Sequence, residues 1–175
     1  VKDNRIWFGA DGTSRPRKKN FLSEVDGVNA WTWWTNKEVG HNQEAAKELK
    51  ELLGAADIFD NPKPTKLLSK IFEIATKEND IILDFFAGSG TTGHSVVKLN
   101  NQQLAHRKFI LVQIPEFTDK KSPAYKAGYK TISEITIARN KAVVERYQKE
   151  SEGKILDEEY KQQLNQLGIK VFTLS

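Results

Sequence analysis

No other stretch restricts the fold as tightly as Ile81 to Gly93, which reads Ile-Ile-Leu-Asp-Phe-Phe-Ala-Gly-Ser-Gly-Thr-Thr-Gly. Its first part, Ile81 to Phe86, is an apolar run with the length of a buried strand. Gly88 and Gly90 break that run, and Thr91 onward can open a helix. A strand, a tight glycine turn and a helix start bring free backbone N–H groups and the positive end of a helix dipole to one point. Glycine suits such a turn because a side chain would obstruct a ligand and some turn conformations need a positive φ. Nucleotide-like ligands are held this way in α/β proteins.

The residues that follow extend the pattern. A helix is expected from about Thr91 to Leu99, stopped by Asn100-Asn101, and a second apolar strand from Lys108 to Ile114, followed by Pro115-Glu116. That spacing makes a βαβ unit. Gln113 and Glu116 fall near the carboxyl end of the second strand, where a residue about 20 positions past the glycines reaches ribose hydroxyls. Gly88, Gly90 and Gly93 also satisfy the dinucleotide pattern G-x-G-x-x-G. A nicotinamide-dependent oxidoreductase would want an acid at the position of neutral Gln113, and Glu116 lies a little late. The phosphate-loop pattern needs Lys before Ser or Thr, but the pair here is His94-Ser95.

Composition removes other classes. The chain has 175 residues, enough for one domain with a real core. A formal net charge of +4 permits a polyanion partner without requiring one. There is no Cys, and the three His, at 41, 94 and 106, lack metal-ligand spacing, so disulfide frameworks and metal sites are not expected. No run of eighteen apolar residues and no signal peptide is visible; a soluble, cytoplasmic protein that does not engage a membrane is expected. Met is absent even from position 1. The chain is therefore expected to be a piece of a longer protein.

The first 40 residues differ in kind from the rest. All four Trp lie before position 35. Arg5 to Phe8 and Val28 to Trp34 read as two β-segments with a turn signal at Ala10-Asp11-Gly12-Thr13. Between them runs Arg15-Pro16-Arg17-Lys18-Lys19. Arg15, Arg17 and Lys18 beside aromatic rings suit DNA, where cations meet phosphates and rings stack on bases. The same pattern also suits a solvated hairpin loop over a small Trp core. Residues 1–40 are read as a basic, Trp-rich hairpin-like segment and residues 41–175 as the ligand-binding α/β part.

Within the second part, His41 to Gly54 predicts a helix that Asn42 can cap and Gly54 ends, with His41 as a capping or core histidine. Phe59 to Thr65 is a short arm made rigid by Pro62 and Pro64, with the residues before them expected to be extended. It leads into a helix from about Thr65 to Thr76 and can offer Asn61 and Lys63 to a carboxylate. Thr118 to Lys130 reads as a polar loop. Thr131-Ile-Ser-Glu134 is a capping box that opens a long helix to about Lys149, broken at Ser151 to Gly153. A helix over Asp157 to Leu167 and a final strand over Ile169 to Leu174 complete the reading.

Asp84 to Thr92 resembles, over nine consecutive residues, the S-adenosylmethionine loop of amino-DNA methyltransferases. Phe59 to Phe72, Lys108 to Glu116, Arg15-Pro-Arg, Glu38 to Ala45 and Gly128 to Glu134 resemble the same source: the C-terminal part of the modification (Mod) subunit of type III restriction-modification systems, β-class DNA adenine-N6 methyltransferases. The resemblance implies a Rossmann-like S-adenosylmethionine-dependent fold, incomplete in this chain. It implies that Asp84, Phe86, Gly88, Gly90 and Thr91 line the methionine side of S-adenosylmethionine. Asn61, Lys63 and Pro64 would help hold its carboxylate, and Gln113 or Glu116 its ribose. The implied partners are DNA, the upstream half of the same methyltransferase, the restriction (Res) subunit and a possible second copy. The family's Asp/Asn-Pro-Pro-Tyr/Phe tetrapeptide lies upstream of the cofactor segment and is absent here, since Asn61-Pro62 continues as Lys63-Pro64. No catalytic residue is therefore assigned, and the chain alone is expected to be inactive. The alternatives are a non-catalytic nucleic-acid-binding module and an oxidoreductase fragment.

Overall fold

The computed structural model describes residues 4–25, 27, 29–152 and 157–173. They fall into two compact units, one up to Thr32 and one from Trp33 onward. The first unit is a hairpin. β1 (Ile6–Trp7) pairs antiparallel with β2 (Arg17–Lys18), Ile6 opposite Lys18 and Trp7 opposite Arg17. Ser14 N–H donates to Phe8 O at 2.7 Å and Lys19 N–H to Arg5 O at 2.7 Å. The Asp11 carboxylate accepts from Thr13 N–H and Oγ1 and holds the turn. A single 3₁₀ turn, Leu22–Glu24, follows.

This corrects the expected pairing. The partner of β1 is the basic run itself, not Val28 to Trp34. A short loop closes at less entropic cost than a long one, and Gly9 and Gly12, both at positive φ, allow the early reversal. Val28 lies outside the described residues, and residues 29–35 form no strand.

In the second unit, α1 (Asn36–Val39) precedes α2 (Asn42–Leu53). His41, rather than Asn42, caps α2: its Nδ1 accepts from Glu44 N–H at 3.3 Å. Gly54, left-handed at φ 75°, ends the helix. α3 (Thr65–Ala75) starts from Pro64. Asn61, expected to be extended before Pro62, is left-handed at φ 51°. Proline disfavours the right-handed helical region in its predecessor, and Asn is among the residues that tolerate the left-handed one.

β3 (Ile81–Asp84), α4 (Thr91–Gln103) and β4 (Lys108–Leu111) form the expected βαβ unit, with β3 and β4 parallel from Ile81 opposite Lys108 to Asp84 opposite Leu111. Both strands are shorter than their apolar runs. β3 ends where the Asp84 carboxylate bonds Phe86 N–H, and β4 then has no straight partner beyond Val112, whose N–H donates to Asp84 O. Asn100 does not stop α4. Its buried amide donates to Arg107 O and accepts from Arg107 N–H, tying the helix to the segment entering β4, and Leu104 supplies a left-handed end at φ 51°.

After β4, the expected loop contains α5 (Pro123–Lys126), capped by Ser122. α6 (Ile132–Ser151) opens with the predicted capping box: Thr131 Oγ1 accepts from Glu134 N–H, and Glu134 accepts from Thr131 N–H. α7 (Glu158–Gln166) is capped by Asp157. Residues 167–173 form no strand, because a strand needs a ladder partner and none of the described residues pairs with them. Leu174 and Gly153 lie outside the described residues.

Two apolar clusters hold this unit together. Phe72, Val96 and Leu99, with Leu68, Ile71, Ile82 and Phe109, join α3 and α4 to the inner face of the sheet. Leu49, Ile58, Ala124 and Ile135 join α2, α5 and α6. The outer face of the sheet is uncovered: Ile81, Leu83 and Ile110 alternate onto it, each more than half exposed. Parallel sheets normally have both faces buried. No described helix is long and apolar enough to cross a membrane.

Candidate cofactor turn and its buried support

The glycine turn is built from four directions. Asp84, the last residue of β3, accepts from Phe86 N–H at 3.0 Å through one carboxylate oxygen and from Thr92 Oγ1 at 2.6 Å through the other. It thus ties the strand end to the first turn of α4. Gly88 N–H donates to Gln113 Oε1 at 2.7 Å, and Gly90 N–H donates to Ala87 O at 2.8 Å. Thr136 Oγ1 on α6 donates to Gly88 O at 2.5 Å, and Asn140 Nδ2 donates to Gly90 O at 3.3 Å. The carbonyls of both turn glycines are therefore held by α6.

Gly90 is required on two grounds. Its φ is 77°, and a Cβ there would lie 2.4 Å from Asn140 Nδ2 and 3.0 Å from Thr136 O. Gly93 has a different reason: a Cβ would meet Asn140 Oδ1 at 2.1 Å. The third glycine lets α4 and α6 approach closely, as in close helix packing generally.

The other sequence-proposed residues divide. Phe86 is 81% exposed, its ring tilted against that of Phe85 at 5.1 Å between centroids. Thr91 is buried, and its hydroxyl is engaged inside the protein. Gln113 is folded onto the turn, with Nε2 donating to Ile114 O. Glu116 is exposed, and its carboxylate makes no hydrogen bond among the described residues. Asn61 and Lys63 are exposed, while Pro64 is buried and packs near Gly40. Arg15, Arg17 and Lys18 are exposed on the hairpin unit. A groove of about 310 Å³ between α2 and the start of α3, lined among others by Glu44, Glu48, Lys66 and Lys98, contains none of the glycine-turn residues.

Sequence reasoning passed over the buried support behind the turn. Arg139 on α6 is 0% exposed. Its Nη1 donates to Ser89 Oγ at 3.0 Å and Thr91 Oγ1 at 2.7 Å, its Nε to His94 Nδ1 at 3.3 Å, and its Nη2 to Glu48 Oε2 at 3.3 Å. Glu48 also accepts from Thr65 Oγ1 at 2.7 Å. Burial pushes the Arg139 guanidinium down to about 10, with Glu48 opposing. Burial, then the neighbouring Arg139 charge, lowers His94 from 6.5 to about 3. His94 is thus a neutral acceptor, with its proton on Nε2. The available signal was an Arg on the inward stripe of an otherwise amphipathic helix.

A parallel βαβ unit with a strand-end acid, a glycine turn and exposed aromatic rings beside it defines an α/β domain, and its class follows from comparison: the chain belongs to the DNA methylase family, which residues 3–118 match. Its relatives include modification subunits of type III restriction-modification enzymes. It is 41% identical over 139 residues to the StyLTI Mod subunit of Salmonella typhimurium, covering 79% of this chain and 21% of that one. The EcoPI Mod subunit of Escherichia phage P1 is 46% identical over 95 residues, 54% of this chain and 15% of that one. The type II methyltransferase M.KpnI of Klebsiella pneumoniae is 34% identical over 148 residues, 77% and 35% respectively. The chain therefore spans between about a seventh and a third of the length of these relatives.

Proposed function

We propose that this chain is the S-adenosylmethionine-binding portion of a type III modification methyltransferase that methylates the exocyclic amine of adenine in DNA. The observation that carries the reading is the turn from Asp84 to Thr92, at the carboxyl end of β3 in a parallel βαβ unit. Its chemistry suits a zwitterionic amino-acid tail better than a pyrophosphate. The Asp84 carboxylate has acceptor capacity beyond its two bonds, enough for an ammonium. Gly88 N–H, which an anion would need, already donates to a neutral amide. The family favours this reading over an oxidoreductase or a non-catalytic nucleic-acid module.

In this reading Asp84 orients the ammonium, and Gly88 and Gly90 keep the turn free of side chains. Phe86 offers a ring face. Asn61 and Lys63 meet the carboxylate, and Pro64, which has no N–H to donate, fixes the arm that carries them. Gln113 stiffens the turn by occupying Gly88 N–H, which leaves Glu116 as the acceptor for the ribose hydroxyls. The bound donor supplies an already activated sulfonium methyl, so what the chain contributes is position. Adenine would be flipped from the duplex and held by upstream residues. That upstream half would also cover the open face carrying Ile81, Leu83 and Ile110, because each Mod relative is several times longer than the segment matched here. DNA phosphates would meet Arg15, Arg17 and Lys18, and the full system would include a Res subunit. A cytoplasmic enzyme with residues 41–175 forming an incomplete Rossmann-like part is the consistent picture.

Calorimetric titration with S-adenosylhomocysteine tests it. The full-length protein should bind with one site per chain, and the 175-residue chain alone should transfer no methyl group to duplex DNA. Absence of binding by the full-length protein would refute the reading.

A further inference from the structure

We infer that Arg139 is a positioning residue that sets the distance between the two walls of the methyl-donor pocket, by joining the glycine turn to the proline arm through Glu48. The inference rests on the function proposed above and adds a part that none of its turn residues supplies. One nitrogen of the guanidinium holds two hydroxyls of the turn, Ser89 and Thr91. Another meets Glu48, whose second oxygen receives the hydroxyl of Thr65, the residue directly after Pro64. Ser95 Oγ completes the connection from the other side, facing Thr65 O at 3.3 Å and donating to Thr91 O at 2.9 Å. The turn on the methionine side and the arm on the carboxylate side are therefore joined through Arg139 and Glu48.

A purely structural explanation is weak on physical grounds. A fully buried cation with a single, partly exposed carboxylate partner is an expensive way to fill a core, and apolar residues of similar volume usually serve stability as well or better. What a planar guanidinium does and a hydrocarbon cannot is bond several acceptors at fixed angles. The acceptors it reaches come from α2, the turn and α4.

The two ends of the ligand separate the possibilities. S-adenosylhomocysteine carries the amino-acid tail that spans both walls, while 5′-methylthioadenosine has the nucleoside and lacks the tail. In the full-length protein, Arg139→Lys should weaken S-adenosylhomocysteine at least tenfold and 5′-methylthioadenosine less than twofold. Thr91→Val, which removes one hydroxyl with little change of volume, should show the same selectivity at reduced size, and it serves if Arg139→Lys does not fold. Equal weakening of both ligands by Thr91→Val or Arg139→Lys, or unchanged binding of both, would overturn the positioning role while leaving the proposed function standing. Failure of the unaltered protein to bind S-adenosylhomocysteine would overturn both.

Discussion

His94 makes the stability of this fold depend on pH between about 3 and 6.5. Its ring is buried against Arg139, and burial together with that charge takes it from 6.5 to about 3. Between those values the unfolded chain binds a proton at this site and the native chain does not. Linkage then requires stability to fall as pH falls: the contribution is fully present above about 6.5 and is lost progressively toward 3. Each unit of separation is about 1.4 kcal/mol, so moving from pH 7.5 to 5.0 should cost about 2 kcal/mol from this residue alone. The carboxylates of Glu24, Glu38 and Glu44, held low by hydrogen bonds from Arg5, Thr35 and Lys66 respectively, also lose stability in acid, but at lower pH, as they approach protonation. His94→Asn isolates the effect, because an amide oxygen can receive Arg139 without titrating. Urea denaturation followed by circular dichroism, at pH 7.5, 6.5, 5.5 and 5.0, should show the unaltered chain losing stability relative to His94→Asn as pH falls. A difference that stays constant across that range would refute the assignment of a neutral, buried His94.

Three other outcomes follow from the geometry. Gly90→Ala forces a side chain into a left-handed position against Asn140 and Thr136 O, and should lower stability by about 2–4 kcal/mol, read as a fall in thermal midpoint. Gly93→Ala should be destabilising chiefly through Asn140, with the Phe109 ring 3.1 Å from the added Cβ as a second, lesser contact, so Asn140→Ala in the same chain should recover part of the loss, a non-additivity measurable by a double-mutant cycle. Replacing Arg15, Arg17 and Lys18 together by Ala should weaken DNA binding of the full-length protein across all sequences and reduce its salt slope by up to about 3, read by fluorescence anisotropy at several ionic strengths.

The turn was legible because its information is local. A short apolar run, two glycines and a helix start within thirteen residues need nothing from elsewhere to be recognised, and the parallel partner β4 follows from the spacing. The capping box at Thr131 was legible for the same reason. Pairing choices were not. Nothing in the alternation of Val28 to Trp34 reveals that Arg17–Lys18, a run that reads as solvated charge, reaches β1 first across a shorter loop. Asn100 looks like a helix stop until Arg107 is seen to satisfy its amide. The support of the turn was least legible: Arg139 lies 50 positions from Ser89 and 91 from Glu48, so only the folded chain brings them together.

That long reach has a practical consequence for where this domain can be cut. The family match ends at residue 118, whereas the hydroxyl, amide and guanidinium that grip the turn from behind sit at 136, 140 and 139 on α6. A segment trimmed to the matched region would keep every letter of the glycine signature and lose its backing. Gly88 O would be released, Ser89 and Thr91 would be left to water, and Gly93 would face an empty groove. The smallest piece that keeps the turn fully backed is thus defined by the brace and not by the signature, and it extends through the end of α6 at Ser151.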